Sequence, residues 1–101
     1  MNITILTPDK EIFQGAIVSI KVPGTLGQFQ VLKGHAPIVS SLQNGEVTLV
    51  TDGGEYKFYN QDTGTIEEGS QKGKEIKYAI GGGFIEVLND NISLLVRGVQ
   101  S

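Results

Sequence analysis

Along most of the chain apolar and polar residues alternate with a period of two, as in strands that lay one face on a core. Asn2 to Leu6 alternates in this way. Glu11 to Val22 carries Ile12, Ala16, Val18, Ile20 and Val22 on one parity and Phe13 and Ile17 on the other. That double parity predicts a long strand touching protein on both faces for part of its length. Gly45 to Thr51 reads as a half-buried strand, Asp52-Gly53-Gly54 supplies turn chemistry, and Glu55 to Tyr59 follows. The two runs are therefore expected to pair as a hairpin. Gly64 to Glu68 and Lys74 to Ile80 are weaker strands, and Gly81 to Gly83 offers a bulge or sharp corner where the chain passes between sheets. Phe84 to Leu88 and Ile92 to Val96 form a last pair, joined by Asn89-Asp90-Asn91, residues that tolerate left-handed turns.

No stretch keeps helical periodicity over three turns, and the 14 scattered glycines disfavour helices. Roughly nine short strands at this spacing predict an all-β chain, an antiparallel β-sandwich or flattened barrel. A length of 101 residues suits a single domain, 1–101, around one core. The one candidate excursion is Asn60 to Lys74, where polar residues and glycine crowd together with Ile66 as the only apolar anchor.

Composition narrows the function. An apolar content of 39% supports a packed interior, but no run of apolar residues is long enough to cross a bilayer, and Met1-Asn2-Ile3-Thr4 does not open a signal peptide. The chain holds no cysteine, which removes disulfides and thiolate metal sites. Eight basic and eleven acidic residues give a net charge of −3, and the nearest approach to a basic patch is Lys72-Gly73-Lys74, so nucleic acid is not an expected partner. His35 is the only histidine and the obvious candidate for a general base or metal ligand. It has no second imidazole, and Ser40 and Ser41 lack the setting of a nucleophile elbow. Catalysis is not expected, nor is any cofactor. The glycine clusters lack the Gly-Lys-Ser/Thr ending of a phosphate loop.

What remains is the segment Val22 to Pro37, which gathers Pro23, Gly24, Gly27, Gly34, His35 and Pro37 and reads as one closely specified loop with Leu26 at its tip. A rigid, well-aimed loop is a good docking surface because little entropy is lost when it binds.

Three further pieces give this loop a context: Thr7-Pro8-Asp9, Phe13-Gln14-Gly15, and Gly82-Gly83-Phe84-Ile85-Glu86-Val87, set in order around Gly34-His35-Ala36-Pro37. In that order the chain resembles the epsilon subunit of F-type ATP synthases, from about Ile3 to Tyr59 and again from about Ile76 to Val96. The resemblance implies that subunit's amino-terminal domain, an antiparallel β-sandwich of about ten strands in two sheets. It implies a non-catalytic subunit of the rotor's central stalk, binding the gamma subunit and resting on the membrane c-ring. Carried over by position, Leu26, Gly27, Gln28 and His35 would face the ring, and Thr7, His35 and Ser40 would face gamma. The family often has an acidic residue where Gln28 stands, so a neutral hydrogen bond would replace a charge pair there. A peripheral place on the cytoplasmic face of a bacterial plasma membrane follows, without insertion into the bilayer. Many epsilon subunits continue into two helices that can inhibit hydrolysis and in some cases bind ATP. This chain reaches Ser101 without them, so neither property is expected. Residues 60–75 stand out against the family's compact hairpin as an inserted, extended hairpin or loop. The alternative reading is a free-standing β-sandwich that binds a ligand such as carbohydrate, with Val22 to Pro37 as its edge. Such modules display aromatic platforms, and this chain has no Trp and only three Tyr.

Overall fold

A computed structural model describes residues 1–60 and 62–99; Gln61, within the expected 60–75 excursion, and the chain end at Ser101 lie outside the described residues. Eight strands follow one another: β1 (Asn2–Leu6), β2 (Glu11–Gly24), β3 (Gly27–Leu32), β4 (Ile38–Asp52), β5 (Tyr56–Asn60), β6 (Thr65–Gly69), β7 (Lys72–Leu88) and β8 (Asn91–Val96). They belong to one hydrogen-bonded sheet in which β1, β8, β7, β4 and β2 are successive neighbours. Because β1 pairs with β2 as well as with β8, these five strands close on themselves. β3 and the β5–β6 hairpin hang from β2.

This corrects the expectation of about ten antiparallel strands in two sheets. The ladder is continuous because β2, β4 and β7, at 14, 15 and 17 residues, are long enough to pass from one layer to the other. The runs expected as separate strands at Lys74 to Ile80 and Phe84 to Leu88 are the two halves of β7, bent at Gly82 and Gly83, whose φ angles of 95° and 154° favour glycine. Nor is every pair antiparallel: β1 runs parallel to β8, Ile3 opposite Ile92 and Ile5 opposite Leu94.

The double parity of β2 has a local cause. Ile17 pairs with Thr51 and Ser19 with Val50, so Val18 is an extra residue with no place in the β4 ladder. Such a bulge reverses which parity faces inward. Phe13 and Ile17 are buried before it and Ile20 and Val22 after it, while Val18 itself is exposed.

The expected hairpin between Gly45–Thr51 and Glu55–Tyr59 does not form. Both edges of β4 are already taken there, by β2 at Ile17 to Lys21 and by β7 at Glu75 to Ala79. The chain turns away at Gly53 and Gly54, both at positive φ, and β5 pairs instead with β2 at Phe13 and Gln14 and with β6. Tyr56 packs its ring on Phe13, with centroids 5.5 Å apart. Ile66, expected to anchor this region, is exposed on β6. The last hairpin forms as expected, Leu88 opposite Asn91, with Asn89 and Asp90 at φ 51° and 62° in a tight turn of left-handed residues.

One core joins these elements, with Phe13, Ile20, Val31, Leu49, Ile85 and Leu94 fully buried. It contains one orphan: the Tyr78 hydroxyl is buried with no hydrogen-bond partner among the described residues. Burial, reinforced by the neighbouring Tyr56 phenol, pushes Tyr78 up to about 12 from 10.0. The folded chain therefore holds this proton to higher pH than the unfolded chain does. The resulting stability is whole below pH 10 and is lost as pH rises towards 12. Over that window the loss amounts to about 2–3 kcal/mol. Tyr78→Phe is expected to keep or raise stability at neutral pH by up to about 1 kcal/mol. It should also flatten the alkaline fall in urea-unfolding midpoints; an unchanged alkaline profile would count against this account.

Candidate docking face and hairpin tip

β1, β8, β7 and β4 lie side by side, and residues opposite one another on neighbouring strands point to the same side. Ile85 and Leu94 are paired on the inner side and are fully buried. Their neighbours Phe84 and Leu95 are paired on the outer side, and Leu6 lies opposite Leu95 on β1. Val39, two residue pairs along from Ser41 and Phe84 and so on the same side, extends the row onto β4. Val39 is 71% exposed, Phe84 56% and Leu95 51%, so the face is a contiguous apolar patch open to solvent. Single exposed apolar residues are ordinary, whereas a contiguous patch crossing four strands marks an interaction surface.

Beside the patch lies a groove of about 330 Å³, bounded by Leu6, Thr7 and Pro8 and by Phe84 and Leu95, with Gly83 and Arg97 also lining it. Glu86 and Arg97 are the charged residues next to the patch, and neither has an ion-pair partner among the described residues. Gly83 is essential to the shape: a methyl group on its Cα would run into the Leu95 carbonyl oxygen.

The Val22 to Pro37 segment, expected as one loop, contains a strand. Pro23 pairs with Gln28 and Gly24 with Gly27, so Thr25 and Leu26 are the tip of a β2–β3 hairpin. Leu26 stands fully in solvent at that tip, with Gly27 and Gln28 exposed behind it. The tip is fastened to β4: the Thr25 amide donates to the Ser41 carbonyl at 3.2 Å, and the two hydroxyls share a hydrogen bond at 3.0 Å. Since Ser41 is opposite Phe84, the tip adjoins the apolar patch.

β3 then separates Leu26, Gly27 and Gln28 from His35. From Gly27 to Leu32 are five residue steps, roughly 17 Å of extended strand. His35 is half-buried in the connection to β4, and its Nδ1 lies 2.7 Å from the Ala36 carbonyl oxygen. A carbonyl can only accept, so Nδ1 carries the proton, and a neutral ring presents Nε2 as an acceptor. Thr7 lies at the groove and also accepts from the amides of Asp9 and Lys10, at 3.3 and 3.1 Å. Ser40, opposite buried Ile85, is on the inner side, whereas Val39 and Ser41 are on the outer side. The patch formed by Val39, Phe84 and Leu95 was not singled out from sequence. Its trace was there: Phe84 to Leu88 and Ile92 to Val96 are apolar on both parities, more than a one-sided strand needs.

Among the described residues no group of three or more His, Asp or Glu could hold a metal ion. What the geometry offers is a stiff sheet, an apolar outer face and a fastened tip: a protein that binds other proteins.

Comparison with known proteins agrees. The family model for the ATP synthase delta/epsilon chain, beta-sandwich domain, matches residues 1–72. The ATP synthase epsilon chain of Chlorobaculum tepidum is 38% identical over 99 residues, covering 98% of this chain and 91% of that protein. The epsilon chain of Salinibacter ruber is 29% identical over 101 residues, and there the chain spans 60% of the relative. Among solved structures, a chain of the Euglena gracilis mitochondrial ATP synthase, from its OSCP/F1/c-ring assembly, superposes with a TM-score of 0.72 at 21% identity, covering 97% of this chain and 51% of that one. A chain of the Tetrahymena thermophila central stalk and c-ring gives 0.65 at 17% identity, over 100% of this chain and 66% of its own. At those identities the structures establish the shared fold. The protein is thus a β-sheet docking domain, and it belongs to the delta/epsilon chain family of ATP synthases.

Gly83→Ala is expected to cost about 1–3 kcal/mol, because its methyl group cannot be placed without moving the β8 backbone. Thermal unfolding measures that loss, and a variant as stable as the parent would refute the close approach.

Proposed function

We infer that this chain is a non-catalytic subunit of the ATP synthase central stalk, coupling c-ring rotation to the gamma shaft and so to ATP synthesis. Membership of the delta/epsilon family supports this, as does a relative of similar length. The observation that carries the mechanism is the outer face of β4, β7, β8 and β1, where Val39, Phe84 and Leu95 are exposed together. A torque-transmitting part needs stiffness and durable interfaces rather than reactive groups. Closed ladders around a packed core supply the stiffness, and permanent interfaces are large and rich in apolar surface.

In this reading gamma covers the apolar face, reaching Thr7 at the groove, and meets His35 in the β3–β4 connection; Ser40, on the inner side of β4, lies behind this face rather than in it. An apolar side chain of gamma fills the groove, and Arg97 at its margin favours a carboxylate beside it. The ring meets Leu26, Gly27 and Gln28 at the hairpin tip, with His35 the farther ring contact across β3. Gln28 offers that contact hydrogen bonds without charge. The complex lies on the cytoplasmic face of the membrane, with this chain peripheral. The chain acts as one domain, from which the β5–β6 hairpin projects; Lys72 to Glu75, expected in the same excursion, instead pair with β4 as the start of β7. Nothing favours a carbohydrate-binding module: Tyr56 and Tyr78 are in the core, and the ring of Tyr59 sits 4.2 Å from the Lys10 ammonium.

The test is co-expression with the organism's own gamma subunit and c-ring. Phe84→Ser with Leu95→Ser is expected to leave thermal unfolding nearly unchanged while costing about 2–4 kcal/mol of gamma binding, as loss of central apolar contacts does. Unimpaired assembly would overturn the assignment of this face. Leu26→Asp with Gln28→Lys is expected to keep gamma binding and to loosen the ring, read as lowered ATP synthesis in inverted vesicles. Full coupling in that variant would remove the hairpin tip from the ring interface.

A further inference from the structure

The β3–β4 connection is held by a side chain far away in sequence. Leu32 to His35 form a turn closed by the His35 amide, which donates to the Leu32 carbonyl at 3.1 Å. Gly34 sits at φ 83° in its third position, where such turns require glycine. The turn's own bond leaves the Gly34 N–H free, and that group donates to Asp90 Oδ1 at 3.1 Å, across 56 residues of sequence. Asp90 is in turn held on two sides. It occupies the tight turn between β7 and β8 at φ 62°, and its carbonyl accepts the Asn2 amide of β1 at 3.0 Å. The carboxylate is therefore aimed by the sheet before it meets the loop.

We propose that Asp90 is a positioning residue for the Gly34–His35 docking loop, holding the loop in its binding shape before a partner arrives. An amide donating to a carboxylate makes a charge-assisted bond, stronger than one to a neutral acceptor. It fixes the backbone immediately before His35, whose ring is separately held by the Ala36 carbonyl. The two bonds leave His35 little orientational freedom to lose on binding, and lost freedom is a main cost of association. The proposal rests on the reading of His35 as a contact residue.

Two substitutions separate the carboxylate from the turn. Asp90→Gly keeps the left-handed conformation and removes the acceptor; Asp90→Asn keeps both, since its amide oxygen can still accept. Amide hydrogen exchange is followed in the isolated chain, and assembly with the native gamma subunit and c-ring is followed on co-expression. Asp90→Gly is expected to speed Gly34 exchange about tenfold. Exchange at Ile20 and Leu94 in the core should stay the same, and assembly should weaken by about tenfold for a loop no longer pre-ordered. Asp90→Asn, which keeps an acceptor but loses its charge, is expected to fall between Asp90→Gly and the parent in both. Unchanged Gly34 exchange in Asp90→Gly would overturn the tie, and so would exchange in Asp90→Asn as fast as in Asp90→Gly. Fast Gly34 exchange with normal assembly would overturn the positioning role while leaving the docking function intact. Normal assembly of His35→Ala would instead remove His35 from the interface, and the proposal with it.

Discussion

Strand β2 cannot keep a single parity inward and still belong to both halves of the sheet. Its first half lies between β1 and β5, and its second between β3 and β4. These neighbours bury opposite parities, and the extra residue Val18 reconciles them by reversing the strand's faces between Ile17 and Ile20. Closure depends on this. With Phe13 and Ile17 inward, β1 can seal the ring by pairing with both β2 and β8. With Ile20 and Val22 inward, β2 can carry β3 to the hairpin tip over Val31.

Closure then decides what is left outside. The ring of β1, β8, β7, β4 and β2 has no free edges along its paired length, so its new contacts come from faces rather than from added strands. On the inner side alternate residues fill the core, and on the outer side Val39, Phe84 and Leu95 are left uncovered by the described residues. A monomer gains no stability from that arrangement, and it bears an aggregation risk. It suits a subunit whose face is covered from assembly onward. Fastening of the β2–β3 tip to Ser41, beside Phe84, makes face and tip one mechanical unit.

The sequence was legible where a signal is local. Alternation identified an all-β chain, the two parities of β2 marked a strand whose inward face changes at Val18, and Asn89-Asp90 marked the final turn. Pairing is not local, and there the reading failed. Asp52-Gly53-Gly54 has good hairpin chemistry, but whether β5 can pair with β4 depends on β2 and β7 having occupied both edges first. Strand counting failed for a related reason, since Gly81-Gly82-Gly83 reads as a break whether the ladder ends there or merely bends. In Val22 to Pro37 the prolines and glycines masked the alternation of Phe29 and Val31, so a strand passed for loop and Leu26 and His35 were placed on one segment that β3 divides. The same glycine-rich motifs carried the family resemblance, because each marks a backbone position that a side chain would spoil. Gly83 shows this directly beneath the Leu95 carbonyl.

The separation of Leu26 from His35 changes how such a domain would pass on torque. Were both on one loop, ring and shaft would compete for a single flexible element, and strain would be absorbed by its backbone. With β3 between them, a load applied at the tip enters β2 through six ladder pairs and reaches β4 through the Thr25–Ser41 bonds. From β4 it spreads along the ladder shared with β7 to the outer face. Apart from the Thr25–Ser41 bonds, each step is a backbone hydrogen-bond ladder over a core whose close packing gives it low compressibility. In the proposed role the apolar face would thus receive load from the tip with little loss in the sheet.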